Sequence, residues 1–494
     1  MRFKNIPNTI AVPLEGITVE DVFSVLAQTN APIWLDSQVH DEECGRYSIF
    51  ASEPSIIYRC FGSVGEIYSH GDGWTSVGSP FEHLTSLFEA TMESDWFEAG
   101  DKLGGENIPF LGGWIGYLGY NVNAHILDKG TYKPDELGFP DCWFAYYPAS
   151  IVFDHIENKA FIVTYFAKDM PIASSTNIPA PPRPASPYTA IERIQFLLSK
   201  PKEFLYKQLS ALPASKFTEK HLQSISKSET NSFVEMFALA AERIREANVK
   251  QVHLSHRFSF PFEREPVSLI LDMRKYFPLP FAAYIRLDSG QAIISSSPER
   301  FLSISGRQII AQPFQGLYLD DASQTYAKGL LENKADAVKA DFMDFCAPDS
   351  VKSVVSDKPQ KIGNLEYLSA KITGELKNIG NVWEIIAKAF PSPAAIGAPK
   401  DKAISIINEL EQQGRSIYSG IIGYISHGGR LDFNTAVRTV LYAHNTLSMQ
   451  IGTDISADVD PQLQYDELIE KMKRTLTLPS NNMKNGTDKE NDER

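Results

Sequence analysis

Residues 391–439 read PSPAAIGAPKDKAISIINELEQQGRSIYSGIIGYISHGGRLDFNTAVRT, and this stretch decides the fold. Pro399 stands at the first turn of a helix predicted to run to about Gln413. Proline suits that place, because its φ is already helical and its missing N–H would have had no partner. GIIGYISH and RLDFNTAVRTVLYA are β-branched and aromatic, and are predicted to pair across Gly428-Gly429, a tight-turn signal. One strand ends in Val437-Arg438-Thr439.

Working outward, QVHLSHRFSF (251–260) alternates, with Val252, Leu254, Phe258 and Phe260 on one side and His253, Ser255, Arg257 and Ser259 on the other. That pattern predicts a half-buried strand. FAAYIRL (281–287), QAIISSS (291–297) and GRQIIAQPF (306–314) are further strands. Ser232 and Glu235 form a capping box that predicts a helix start, with Phe233, Phe237, Ala240 and Ile244 on one face. Asp460-Pro461 opens a last helix reaching about Leu476. Near the N-terminus, IPFLGGWIGYLGY (108–120), WFAYYPASIVFDH (143–155) and FIVTYF (161–166) are strand candidates, the last two forming a hairpin that turns near Glu157-Asn158. Runs of strands with segregated helices predict an α+β fold with large antiparallel sheets.

The expected organisation is an N-terminal region over 1–169, a linker over 170–187, a larger domain over 188–478 and a disordered polar tail over 479–494. The linker, MPIASSTNIPAPPRPASP, is rich in proline, which fixes φ and removes donors. With 494 residues, 43% hydrophobic and 22% charged, the composition is that of a globular protein. A net charge of −14 argues against nucleic acid and anionic membranes as partners. Cys44, Cys60, Cys142 and Cys346 form no CxxC pair, so reduced thiols in a cytoplasmic protein are expected. No signal peptide or membrane span is expected, since no apolar run approaches about 18 residues. No GxxxxGK[ST] or GxGxxG follows a strand, so nucleotide binding is not indicated.

Several motifs in order resemble those of the chorismate-utilising enzymes: anthranilate synthase, aminodeoxychorismate synthase and isochorismate synthase. SSSPERF (295–301) resembles the SxSPExF form of aminodeoxychorismate synthase component I. QPFQG (312–316) stands for PIKG, IGAPK (396–400) for ITGAPK and GTDISAD (452–458) for GAGIVAD. YSGIIGY (418–424) and DFNTAVRT (432–439) match closely, and QYDELIEK (464–471) stands for an ExxE helix with a later lysine. WLDS (34–37) and GRYSIFASEP (45–54) resemble the region that holds tryptophan in relatives, which marks Ser37 as a regulatory position. The resemblance implies two large facing antiparallel sheets with helices outside and the active site between them.

It also implies roles. Chorismate carries two carboxylates, a ring hydroxyl and an enolpyruvyl ether. Arg438 would grip a carboxylate bidentately, with Tyr418 and backbone N–H groups near Gly452 beside it and Lys471 on a second anionic group. Glu299 would serve acid–base work at the departing hydroxyl. Gln315 stands where aminodeoxychorismate synthase has a nucleophilic lysine, a role an amide cannot fill. Tyr367 replaces a histidine and is too weak an acid to exchange protons as imidazole does. His253 or His256 would have to replace a lysine base for an isochorismate synthase reading. Ile396 replaces a pocket threonine, and CAPDS (346–350) departs from an ARND-like turn.

The resemblance implies Mg²⁺ held by glutamates of two helices. Glu467 retains one, but Gln464 replaces another, and KADAVKADFMDF (334–345) offers Val338 or Lys339 at the expected place. Asp336 or Asp341 would substitute only after a register shift. Gln464, Glu467 and Lys471 share one helical face. The expected activity is that of an aminodeoxychorismate synthase component I-like subunit in the 4-aminobenzoate/folate branch, taking ammonia from a glutamine amidotransferase partner. The alternative is a chorismate-binding paralogue that has lost turnover; anthranilate synthase and isochorismate synthase activities rank lower.

Overall fold

The computed structural model describes residues 9–37, 39, 44–69, 73–77, 80–91, 108–126, 132–165, 187–199, 227–276, 278–317, 323–362, 365–378, 382–427, 429–458 and 460–476. Nearly all of the expected linker over 170–187 and the whole of the expected tail over 479–494 therefore lie outside the described residues. Among the described residues, two antiparallel sheets of 11 and 13 strands face each other. The first sheet runs, edge to edge, through Thr9–Leu14, Lys159–Tyr165, Ala149–Asp154, Tyr47–Ala51, Ile33–Asp36, Phe281–Arg286, Ala292–Ser297, Thr439–Ala443, Thr446–Ile455, Gln251–Pro261 and Gly397–Ala398. The second has Arg300–Ser305, Leu431–Thr435, Ile421–Ser426, Gly113–Leu118 and Cys142–Tyr147 at its centre. Strands from before residue 169 and after residue 188 mix in both sheets.

Three apolar layers hold this sandwich. Ile33, Ile49, Val152 and Ile293 of the first sheet meet Ile57, Tyr117, Trp143 and Ile422 of the second in a core made by the facing sheets. Outside the first sheet, the helices Lys227–Ala247 and Pro461–Leu476 contribute Phe233, Phe237, Ile244, Leu468 and Met472. Outside the second, the helix Ser323–Phe345 contributes Leu331, Ala335, Val338 and Phe342. Each fully buried Phe or Leu adds about 1.5–3 kcal/mol of apolar transfer energy.

Several boundaries differ from the sequence expectation. RLDFNTAVRTVLYA is two strands, Leu431–Thr435 in the second sheet and Thr439–Ala443 in the first. Only the first pairs with Ile421–Ser426. The break falls at Arg438, whose φ of 51° leaves the extended region. Gln251–Pro261 is a strand, but not a half-buried one: His253, Ser255 and Arg257 on its polar side are buried as well. Polar partners replace water on that side: Asp454 and Gln450 on the neighbouring strand, and Tyr418, Glu411 and Asp135 outside the strands. The 227–247 helix starts before Ser232, which lies inside it, while Phe233, Phe237, Ala240 and Ile244 are buried as expected. The helix after Pro399 stops at Leu410. Asp460 caps Pro461–Leu476 through Oδ1, which accepts from the N–H groups of Gln462 at 2.8 Å and Leu463 at 3.2 Å.

Candidate active site

Two chain crossings build the site. Ala292–Ser297 belongs to the first sheet and Arg300–Ser305 to the second, so Pro298-Glu299 spans the gap between them. Ala436-Val437-Arg438 spans it in the opposite sense. Two or three extended residues cover roughly 7–10 Å, about the spacing of facing sheets. The crossings are bonded to each other. Thr435 N–H donates to the Glu299 carbonyl at 3.1 Å, and Ser296 N–H to the Arg438 carbonyl at 3.2 Å. Ser297 Oγ donates to the Thr435 carbonyl at 2.8 Å. A carboxyl and a guanidinium are thus carried on adjacent rungs between two rigid sheets.

Both residues line a cleft of about 630 Å³ with its mouth included. Its other polar walls are His253, Gln315, Lys334, Tyr418, Gln450, Gly452, Asp454 and Lys471. Glu299 is buried, and its Oε1 accepts from Thr435 Oγ1 at 2.8 Å. Burial raises its pKa to about 7, against the lowering pull of the Lys334 charge and the Thr435 hydroxyl. Near neutral pH it therefore holds a proton about half the time, as a general acid must.

A polar chain crosses the back wall. Lys334 Nζ lies 2.9 Å from Asp454 Oδ2, and Asp454 Oδ1 lies 3.1 Å from His253 Nδ1. His253 Nε2 is 2.7 Å from Tyr418 Oη. Burial would raise the Asp454 carboxyl, but Lys334 and His253 outweigh it and hold it well below the usual carboxylate range. Burial keeps His253 neutral, overcoming the opposing pull of Asp454. A neutral imidazole beside a carboxylate carries its proton on Nδ1, so Nε2 accepts from the Tyr418 hydroxyl. Burial also raises the Tyr418 pKa, so the phenol keeps that proton.

Gly452 explains why this chain is so compact. A Cβ there would lie 2.4 Å from His253 Nε2 and 2.8 Å from Tyr418 Oη, so only glycine admits both rings. A second layer anchors the strand. Arg415 donates to Glu411 at 2.6 Å and to the His253 carbonyl at 2.5 Å, and Glu411 Oε1 accepts from Ser255 N–H at 2.7 Å.

The remaining sequence-derived positions divide. Arg438, Tyr418, Gly452, Lys471, Glu299 and Gln315 share the cleft. Gln315 Oε1 accepts from Lys334 Nζ at 2.9 Å. Tyr367 is not among the residues lining the cleft; it stacks on Phe314, ring centroids 4.9 Å apart. His256 packs edge-on against Phe233, centroids 4.3 Å apart. Ser37 lines another pocket, of about 870 Å³, with Asp36, Arg46, Phe281, Arg300 and Asp432. Ser37 N–H donates to Ser48 Oγ at 3.3 Å.

Sequence reasoning passed over Lys334 and Asp454. The signals were there. Lys334 falls at i+3 from Leu331 and i−4 from Val338, on the apolar face of its helix, where a lysine must find a partner. Asp454 shares a strand face with Gly452 inside the otherwise buried TLSMQIGTDI.

A divalent ion fits this donor set poorly. Mg²⁺ asks for near-octahedral oxygen ligands including carboxylates. Glu467 is paired with Lys471 at 2.7 Å, and Gln464 Oε1 accepts from Thr453 Oγ1 at 2.7 Å. Val338 is packed in the core and Lys339 is exposed. Asp336 meets Lys250 at 3.7 Å on the surface, and Asp341 meets Lys400 at 2.7 Å. Among the described residues, no group of three or more His, Cys, Asp or Glu side chains is placed to hold a metal. No helix among them is long and apolar enough to cross a membrane.

Similarity to known proteins follows the same geometry. Anthranilate synthase component 1 of Lactococcus lactis is 27% identical over 463 residues, covering 90% of this chain and 93% of the relative. That of Streptomyces coelicolor is 27% identical over 386 residues, covering 75% and 73%. The fold matches anthranilate synthase component I of Streptococcus pneumoniae at a TM-score of 0.65 and 22% identity, covering 88% of this chain and 94% of that one. It also matches the menaquinone-specific isochorismate synthase of Escherichia coli at 0.63 and 14%, covering 95% and 94%. The pattern of the chorismate binding enzymes matches residues 46–477, and the chain belongs to that family.

Proposed function

We propose that the cleft takes chorismate and replaces its ring hydroxyl with ammonia delivered by a glutamine amidotransferase subunit. The observation that carries this reading is Glu299, a buried carboxyl with a pKa near 7 set on a rigid crossing beside Arg438. Arg438 and Lys471 grip the two carboxylates. Glu299 protonates the departing hydroxyl, which leaves as water while the C–N bond forms. The carboxylate then takes the surplus proton from the new ammonium group. Hydroxyl and ammonia are thereby exchanged for amine and water, and Glu299 is restored.

Attack is direct. The Gln315 amide nitrogen is not nucleophilic because its lone pair is delocalised, and Lys334 Nζ is engaged by Asp454 Oδ2, Gln315 Oε1 and the Phe314 carbonyl. This favours the chemistry named for the anthranilate synthase relatives, whereas SSSPERF favours the aminodeoxychorismate branch of the same amination. Tryptophan in the Ser37 pocket belongs to this proposal as its regulator. The test is purified chain with chorismate and ammonium, products read by mass spectrometry. An aminated product is expected without the partner subunit: an aminodeoxychorismate from the exchange alone, or anthranilate with pyruvate where elimination of the enolpyruvyl group and a ring proton follows. Chorismate bound but never consumed points to the binding role instead, a reading favoured by the Tyr418 proton being engaged with His253. No binding at all rejects the proposal.

A further inference from the structure

We infer that this cleft binds its anionic ligand without a divalent cation, and that the tethered ammonium of Lys334 supplies fixed positive charge beside it. The inference rests on the chorismate reading above and concerns what neutralises the ligand's charge. The observation behind it is the place of one nitrogen. Lys334 Nζ sits 2.9 Å from Asp454 Oδ2, 2.9 Å from Gln315 Oε1 and 3.3 Å from the Phe314 carbonyl. A carboxylate, an amide oxygen and a backbone carbonyl converging on one point form the kind of oxygen cage that suits a hard cation. Here the cation is built into the chain. An ammonium has three donors, and the three oxygens use them.

Its position is fixed from both ends. Lys334 is buried on the helix Ser323–Phe345, one helical step from Leu331 and Val338 in the core. Asp454 is buried on the strand Thr446–Ile455, held also by His253. The ammonium therefore lines the cleft without freedom to swing away. It lies close enough to Glu299 to lower that carboxyl's pKa against the effect of burial. The second helix brings another ammonium to the cleft. Lys471 Nζ bonds Glu467 at 2.7 Å and the Gly452 carbonyl at 3.3 Å, so the one glutamate the family pattern leaves for a metal already faces a positive charge. A divalent ion entering this space would meet two fixed ammonium groups and no carboxylate without a cationic partner among those lining it other than Glu299.

A fixed monovalent charge has a functional consequence. It cannot be lost to chelators, diluted or replaced by a different ion. It also orders the Gln315 amide, whose oxygen is committed to Lys334, so that its NH₂ is the end left for the ligand.

The test uses the full chain and two titrations. Mn²⁺ is added to the protein, with and without chorismate, and free Mn²⁺ is followed by electron paramagnetic resonance. The expected result is no stoichiometric site up to millimolar ion; a site with sub-millimolar Kd in either condition overturns the inference. Chorismate is then titrated calorimetrically in EDTA and in Mg²⁺. Kd values within twofold of each other are expected, and a tenfold gain from Mg²⁺ overturns it. Lys334→Gln is expected to weaken chorismate at least tenfold while Lys334→Arg retains most of the affinity; a Gln variant that folds by its melting curve and binds like the parent overturns it too. If chorismate binds to nothing, the proposed function fails, and the Mn²⁺ titration still decides the metal question.

Discussion

The two walls of the cleft differ in what holds them. One wall is strand-borne: Glu299 and Arg438 on their crossings, with Tyr418 and Gly452 beside them. Its backbone is fixed by bonds between the crossings and by a glycine that no other residue can replace without a clash. The other wall is helix-borne: Lys334 from 323–345 and Lys471 from 461–476, with Glu467 paired to Lys471 and Gln464 to Thr453 outside the lining. A helix holds its side chains by periodicity alone, so a charge can be inverted without moving the backbone. The strand wall here keeps the residues expected of a chorismate site. The helices instead have Gln464 and Val338 or Lys339 where the resemblance implies acids, and present the amines Lys334 and Lys471 to the cleft. Geometry that depends on backbone is conservative; geometry that depends on side-chain identity is free to change its chemistry.

The comparison can be broken most sharply at Glu299. Glu299→Gln removes the proton but keeps the shape, so kcat is expected to fall by roughly 10²–10⁴ with chorismate affinity nearly unchanged, measured by turnover and calorimetry. Arg438→Ala comes next. Losing two charge-assisted bonds, each about 1.5–3 kcal/mol, is expected to raise the chorismate Kd about 100-fold or more. Gly452→Ala drives a methyl into His253 and the Leu254 carbonyl, 2.4 and 2.6 Å away, and is expected to cost about 1–3 kcal/mol in a urea melt. On the helix wall, Glu467→Gln is expected to change kcat and Kd less than about threefold. Glu467 is a buried residue committed to Lys471 at 2.7 Å and does not line the cleft, so its loss is expected to fall on stability rather than on the reaction. A larger loss for Glu467→Gln than for Arg438→Ala would reverse the ranking of the two walls.

Legibility followed the same division. Alternating apolar residues gave the strands, and Asp460-Pro461 gave the last helix to the residue. The hairpin at Asn158, with Asp154 opposite Lys159, was equally readable. The crossing at 436–438 was not, because Val437 and Arg438 carry no glycine or proline to mark the break. Arg438 reaches its left-handed φ of 51° through contacts with a strand more than a hundred positions away, which a local pattern does not contain. The polar face of 251–260 reads as solvated for a related reason. His253 and Arg257 look solvated in sequence, but their partners, Asp454 and Asp135, are distant along the chain. Lys334 stands on an apolar helix face with Leu331 and Val338, and its partners Asp454 and Gln315 are far from it or on another element, so a local pattern does not pair them.

The most direct test is the pH dependence of kcat for chorismate consumption, with free ammonia held constant at each pH. Glu299 acts in its protonated form, and its pKa is raised to about 7. Below that pH the acid form predominates and the rate is flat; above it the carboxyl ionises and the rate falls toward tenfold per pH unit. Glu299→Gln should lack that limb altogether. A rate that rises through pH 7, or a falling limb that survives in Glu299→Gln, would contradict the assignment of Glu299 as the acid on which the strand wall's chemistry depends.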